Sequence, residues 1–349
     1  MCRPAWLIIL LCVNLMVGCS SGDTAKRPAP AAGATAASDA ITVAFVSNNP
    51  FEFWAIARKG TEKAAAELHL NVEFRMPPQG TGTEQRQIVE DLLVQGVKGI
   101  AVSPVDPANQ AEFFDEVAAQ VPLITQDSDL PPGSKRLCFL GTDNYEAGKA
   151  AGQLVKKVLP KGGRVAVYVG SIDAQNAIDR RQGVLDELAG KKGAPTADGS
   201  QLDQFTLLGT FTDSSKQEEC KRKVEDTLVT HAKDDPESLC LVGLWAYNPP
   251  AMLAAVKDQG LAGKVKLVGF DENEETLQGV EDGHIFGTVV QQPFEFGYQA
   301  VKMLAGLAKG DKSALPESGV VHIDYKVIQQ NNVVAFREEL RRLKGAASE

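Results

Sequence analysis

The sequence predicts an α/β protein of two doubly wound parallel sheets, each the centre of one lobe. Short continuous apolar runs recur at 41–46, 98–103, 122–126, 164–169, 239–245, 265–270 and 285–291, with a weaker strand at 71–75. Amphipathic helical segments separate them. Runs that are apolar on both faces and alternate with helices match parallel sheets covered on both sides. So many β-α units exceed one ordinary sheet, and two sheets of similar size accommodate them.

The elements follow in order. Ile41 to Val46 reads as a buried first strand, and it runs into Ser47-Asn48-Asn49-Pro50-Phe51-Glu52-Phe53-Trp54. A helix is expected from Ala55 to Leu68. Amides and aromatics therefore crowd the carboxyl end of the first strand, the edge where open α/β sheets bind small ligands. Flat aromatic faces beside amides suit a molecule with apolar ring faces and polar edges, such as a sugar. The same residues also suit a plain helix start, with Asn48 or Asn49 as cap and the aromatics in the core. Further helices are expected over 84–95, 108–119, 145–159 and 250–259, and a terminal amphipathic one over 333–343. The segment Leu140-Gly141-Thr142-Asp143-Asn144, an apolar run ending in a polar loop, marks the passage from the first sheet to the second.

The first 18 residues read as a signal segment. Arg3 supplies a positive start, and Trp6 to Val17 supplies an apolar stretch too short for a comfortable membrane span. It ends in Leu15-Met16-Val17-Gly18-Cys19, which resembles the bacterial lipobox. That resemblance implies lipidation of Cys19 and a lipid anchor in a membrane. Residues 19–40 are rich in Ala, Pro, Gly, Ser and Thr and read as a flexible tether.

A hydrophobic content of 44% and a charged content of 23% are those of a soluble globular body. The formal net charge of -9, with no long basic run, argues against nucleic acid as a partner. Cys138, Cys220 and Cys240 are too few and too sparse for a disulfide framework. Cys220 falls on an expected helix and Cys240 in the next strand, so the spacing allows a bridge between them as well as two buried thiols. No pair has zinc-ligand spacing, and no metal or other cofactor is expected.

Polar groups recur at the strand ends. Besides the opening stretch, these are Ser103-Pro104-Val105-Asp106, then Asp127-Ser128-Asp129, then Ser171 to Asn176 with Arg180 one turn on. Asn248, Asp271 and Gln291 close the series. Each alone suits a helix cap or a solvated loop. Together they put carboxylates, amides, a guanidinium and aromatics on one edge, and planar groups of this kind can each grip two neighbouring hydroxyls. Enzyme motifs are missing: no phosphate loop, no nucleophile elbow and no H-E-x-x-H, and His69, His231, His284 and His322 are scattered. Asp271-Glu272-Asn273-Glu274-Glu275 has the alternating oxygens of a calcium loop but Thr276 where that loop needs Gly. Asp271 is therefore read as a ligand contact and the rest as acids favoured at a helix start.

In this order the residues resemble the bacterial periplasmic sugar-binding proteins of the ribose-binding type, over about residues 41–330. Asn49-Pro50-Phe51 matches that family's Asn-Pro-Phe, and Phe51, Phe53 and Trp54 are the candidates to stack on a ring. Asp127 matches its hydroxyl-binding Asp. Ser128 departs from the Arg of the ribose type, and Asp127-Ser128-Asp129 is more similar to the rhamnose and autoinducer-2 binders. Arg180, Asn248, Asp271 within Val268-Gly269-Phe270-Asp271, and Gln291 match the remaining sugar ligands. Thr212 stands where the ribose type has an aromatic, with Trp245 and Tyr247 nearby.

The resemblance implies the type I periplasmic binding protein fold, two lobes joined by a three-strand hinge that close on ligand. One lobe would hold 41–142 and 293–321, the other 143–292 and 322–336, with 337–349 a helical tail. The implied function is an extracytoplasmic monomer, not an enzyme, that captures a monosaccharide or similar small polyol. It would deliver that ligand to the permease of an ABC importer. The alternative is a sensor that presents sugar or an autoinducer-2-like ligand to a chemoreceptor or kinase.

Overall fold

The computed structural model describes residues 40–345. The signal segment, Cys19 and almost all of the tether lie outside the described residues. In chain order the first elements are β1 (Thr42–Val46), α1 (Glu52–Leu68), β2 (Asn71–Arg75), α2 (Gly82–Val94), β3 (Ile100–Val102), α3 (Pro107–Ala118), β4 (Leu123–Gln126) and β5 (Cys138–Gly141). Then come α4 (Asn144–Val158), β6 (Gly163–Val169), α5 (Gln175–Ala189), β7 (Gln201–Leu202), β8 (Phe205–Thr212), α6 (Gln217–His231), β9 (Leu239–Gly243) and α7 (Asn248–Asp258). The last are β10 (Lys266–Phe270), α8 (Glu274–Glu281), β11 (Gly287–Val290), α9 (Pro293–Leu307), β12 (Val320–His322), β13 (Lys326–Ile328) and α10 (Val333–Lys344).

The strands form two sheets, ordered β12-β5-β4-β3-β1-β2 and β13-β11-β10-β9-β6-β8-β7. Every pairing in the first is parallel. The second is parallel except at its edges, where β13 and β7 pair antiparallel. The chain passes between the sheets after β5, after β11 and between β12 and β13. Helices cover both faces of each sheet, which is why the central strands are buried almost throughout.

Local chemistry fixes the ends of the elements. Thr81 and Glu84 form a reciprocal capping box at the start of α2, Asp106 caps α3 ahead of Pro107, and Asp143 caps α4. Strand β8 is absent from the apolar runs because only alternate residues are buried: Phe205, Leu207 and Gly209 face the core. It lies near the edge with only the two-residue β7 outside it, so its sequence alternates as a half-covered strand does.

Cys138, Cys220 and Cys240 are free and buried. Cys220 packs in the core under α6 and α7, whereas Cys240 packs in the core shared with α4 and α5. The sheet separates these cores, so the bridge that the spacing allows does not form.

Candidate ligand-binding cleft

The polar strand ends of both sheets converge, close enough for Asp127, Arg180 and Asp271 to act on one another. On the first lobe, Asp127 stands one residue beyond β4, and on the second Asp271 stands one residue beyond β10. The two are built alike. Each has a left-handed backbone, with φ of 62° and 66°. Each donates its N–H to the adjoining strand, Asp127 to Leu140 O (3.2 Å) and Asp271 to Val289 O (2.8 Å). Positive φ is uncommon outside glycine, and such strain collects at functional sites.

The first lobe orients Asp127 with a closed network. Its Oδ2 accepts from Ser103 Oγ (3.1 Å) and Asn48 Nδ2 (3.4 Å), and Asn48 Nδ2 also donates to Ser103 Oγ (2.9 Å). Asn48 Oδ1 accepts from Trp54 Nε1 (3.1 Å) and Asn49 Nδ2 (2.6 Å). Behind them the fully buried Gln85 donates to Ser47 O (2.8 Å) and Ser103 O (2.7 Å), tying the ends of β1 and β3 together.

The second lobe contributes Arg180 from α5. That helix lies close on α4 because Gly148 has no side chain: a Cβ there would stand 2.1 Å from Arg180 O. Arg180 Nε donates to Asn144 Oδ1 (2.8 Å) and Nη1 to Leu244 O (3.0 Å), with the guanidinium 4.0 Å over the Phe270 ring. Asp271 Oδ1 accepts from Gln291 Nε2 (3.0 Å). Trp245 lies against the end of β6, where a Cβ on Gly170 would come within 2.0 Å of its ring.

Several polar atoms here are buried and have no protein partner: Arg180 Nη2, Trp245 Nε1, Gln291 Oε1, Asn176 Oδ1 and Gln126 Oε1. Buried polar groups in folded proteins are nearly always hydrogen-bonded, and each orphan needs a reason. Here all five lie at or just beyond the carboxyl ends of the strands.

The charges act across the cleft. Burial raises the Asp127 carboxyl from 3.8 to about 6, against the opposing pull of Arg180 and Ser103. Burial also raises Asp271, again opposed by Arg180 and by Gln291. Arg180 is 2% exposed, and burial pulls it below the usual guanidinium range while Asp271 and Asp127 both push it back. One cation of the second lobe thus serves a carboxylate on each lobe. Among the described residues, no group of three His, Cys, Asp or Glu is arranged to hold a metal ion.

The family model for the periplasmic binding protein domain matches residues 41–312. The chain belongs to the periplasmic binding protein family. The ribose import binding protein of Salmonella typhimurium is 26% identical over 270 residues, spanning 76% of this chain and 83% of that protein. The D-allose-binding periplasmic protein of Escherichia coli is 28% identical over 288 residues, 80% of this chain and 87% of the relative. Among solved structures, the glucose-galactose binding protein GanP of Geobacillus stearothermophilus superposes with a TM-score of 0.74 at 26% identity, over 84% of this chain and 99% of its own. An ABC transporter solute-binding protein of Burkholderia graminis, in complex with D-arabinose, reaches 0.75 at 26% identity over 84% and 97%. The two-sheet architecture expected from the sequence is that of this periplasmic binding protein fold.

The structure sorts the residues singled out in the sequence. Asp127, Arg180, Asp271 and Gln291 converge, and Ser128 adjoins them, 8% exposed. Asn49 is tied into the loop by Asn48 and by the Phe51 N–H (3.0 Å). Of the three aromatics, Trp54 is 2% exposed in the core beside Phe45, and Phe53 packs edge-on to it at 4.9 Å. Phe51 alone is open, at 52%. Asn248 is fully buried and used within its own lobe: Oδ1 accepts the Trp245 N–H (2.9 Å), and Nδ2 donates to Asp213 Oδ2 (2.9 Å) and contacts Cys220 Sγ (3.4 Å). Glu272 is not a plain helix-start acid. It is 6% exposed with Oε2 unpartnered, while Asn273 caps α8 and Glu274 and Glu275 occupy its first turn. Sequence reasoning placed Ser103 and Asn48 at the polar strand ends, and Asn48 also as a candidate cap, but gave no role to Gln85. The structure makes Ser103 and Asn48 the holders of Asp127, while α1 has no side-chain cap. Their signal was position: Ser103 and Asn48 both follow a strand that ends at the cleft.

Proposed function

We propose that the protein is an extracytoplasmic solute-binding protein that closes its two lobes on a monosaccharide or similar small polyol and hands it to the permease of an ABC importer. The observation that carries this reading is the set of orphaned buried donors and acceptors around two carboxyls and one guanidinium. A polyol presents several donors and acceptors in a small volume. It satisfies such a set, while each group left unmet costs about 1–3 kcal/mol. Relatives named for ribose, allose, glucose-galactose and arabinose support a sugar.

In this reading Asp127, Asp271 and Gln291 accept or share hydroxyl protons, and Arg180 Nη2 donates. Ser128 and Asn49 line the first-lobe side, Phe51 offers a ring face, and Trp245 offers the opposing wall and an N–H. Phe53, Trp54 and Asn248 hold these groups in place from behind. Bonds to both lobes exist only in the closed form, so ligand shifts the open–closed equilibrium by that difference in affinity. Residues 41–142 and 293–321 serve as one lobe and 143–292 and 322–336 as the other. The protein works as a monomer, with Cys19 as its lipid anchor and residues 19–40 as the tether. No bond-making chemistry is assigned to it.

A thermal-shift screen of residues 38–349 against pentoses, hexoses, deoxy sugars, polyols and autoinducer-2 tests the reading. A sugar at about a hundred times its dissociation constant stabilises by about 2.7 kcal/mol. The expected result is a hit that Asp271→Asn abolishes. No shift with any member of the panel would contradict the reading.

A further inference from the structure

Strands β1, β3, β9 and β10 each run on into a helix at the polar edge, but β4 does not: residues 127–137 lead to β5 with no helix between. A helix fixes its own backbone by hydrogen bonds along the chain, and this connection has to find that restraint elsewhere. The restraint is needed at Asp127. Its φ is 62°, and the Ser128 N–H donates to Gln126 O at 2.7 Å, so Asp127 is the centre of a three-residue turn. Such a turn with positive φ is rare and strained, and it persists only where its surroundings over-determine it.

Asp129 supplies those surroundings. Its Oδ1 accepts from Thr125 Oγ1 on β4 (2.6 Å), from the Leu130 N–H (2.8 Å) and from Arg136 Nε (2.5 Å). Its Oδ2 accepts from Arg136 Nη2 (2.5 Å). Thr125 and Asp129 thus bracket Asp127 and Ser128. Arg136 Nη1 reaches on to Gly319 O (2.9 Å), which also takes the Phe139 N–H of β5 (2.9 Å). Two-pronged pairing of guanidinium and carboxylate fixes direction as well as distance. The Arg136 and Asp129 side chains are 17% and 24% exposed, so the pair is better shielded than one on the open surface. Four donors fill the acceptor sites of a carboxylate. Asp129 is therefore spent within its own lobe, and Asp127 is the carboxyl of this loop left for ligand.

We propose that Asp129 and Arg136 are positioning residues for ligand capture: their two-pronged pair locks the turn that presents the Asp127 carboxyl to Ser103, Asn48 and the facing Arg180, and neither touches the ligand. The role in capture rests on the proposed function, whereas the hold on Asp127 is read without ligand. Carbon-13 NMR of the ligand-free, full-length chain labelled at aspartate carboxyls tests it, with the Asp127 signal identified by its loss in Asp127→Asn. Burial is the largest influence on this carboxyl and raises it to about 6. Releasing the turn lets water in, so in Arg136→Ala the titration midpoint should fall by about one unit or more toward the ordinary aspartate value. Loss of the Arg136 charge with the turn intact would move the midpoint the other way, since a nearby cation favours the carboxylate. Arg136→Lys keeps the charge and loses the fork, so it should fall as well; it alone decides if Arg136→Ala does not fold. A midpoint that stays near 6 or rises in either folded variant would overturn the proposal. A sugar screen without a hit would count against the proposed function and leave this hold on Asp127 standing.

Discussion

The two lobes present opposite halves of one site. On the first, Asp127 is already held by Ser103 and Asn48, and Asn48 by Trp54 and Asn49, so most polar atoms have protein partners. On the second, Arg180, Trp245, Gln291 and Asn176 each keep one buried atom unmet. The first half is a pre-set cradle whose acceptors point one way before ligand arrives. Under the proposed function, the second would gain its missing bonds only when ligand bridges the two lobes. In that reading the division would couple closure to capture: preorganisation lowers the ordering cost on one side, and unmet groups supply the gain on the other.

Arg180 is the strongest test of the contrast, because it serves both halves. Arg180→Ala leaves Asp127 and Asp271 without their shared cation. Breaking a buried charge set in this way costs about 3–5 kcal/mol. The expected outcome in denaturant melts at pH 7 is a loss of that order, with no sugar-induced shift.

Asp127 tests the cradle. Its folded-state carboxyl is raised from 3.8 to about 6, so between those values the folded protein holds a proton that the unfolded chain has released. Its contribution is fully present below about pH 4 and lost as pH rises through 6, about 3 kcal/mol in all at about 1.4 kcal/mol per pKa unit. Asp127→Asn should flatten this part of the stability–pH profile. It should raise the unliganded protein's stability at pH 7, yet weaken sugar binding at least about tenfold. An unchanged slope between pH 4 and 6 would remove Asp127 from the account.

Asn248 sharpens the difference between contact and support. Its amide is spent on the Trp245 N–H and Asp213, so Asn248→Ala strands buried partners at about 1–3 kcal/mol of stability. The dissociation constant should change less than the melting point does. A large loss of affinity at unchanged stability would make Asn248 a direct ligand contact.

Much of this was legible in the sequence for identifiable reasons. Strands such as β1 and β9 are covered on both faces and so appear as unbroken apolar runs. The acids Asp127 and Asp271 sit one residue past such runs, and strand ends can be counted. Four things were not legible. β8 is half-covered, so its alternation hid it. The choice among Phe51, Phe53 and Trp54 depends on which way α1 faces its sheet, and the loop residues look alike until the core claims two of them. Asn248 matched a ligand position, but its side chain is turned by the Trp245 N–H and Asp213, a three-dimensional competition that a motif does not record. Glu272 was lost in a run of acids because burial, not identity, sets it apart.

Residues 38–349 contain two tryptophans, Trp54 in the first-lobe core and Trp245 at the second-lobe strand ends. A fluorescence titration with D-ribose, D-allose, D-arabinose and D-galactose therefore reads the two halves separately. The account predicts a saturable change with at least one sugar that survives Trp54→Phe and disappears in Trp245→Phe. By calorimetry, that last variant should still bind, about tenfold more weakly for the lost N–H. No change with any of the four sugars, or a change that belongs to Trp54 alone, would contradict capture between the two halves.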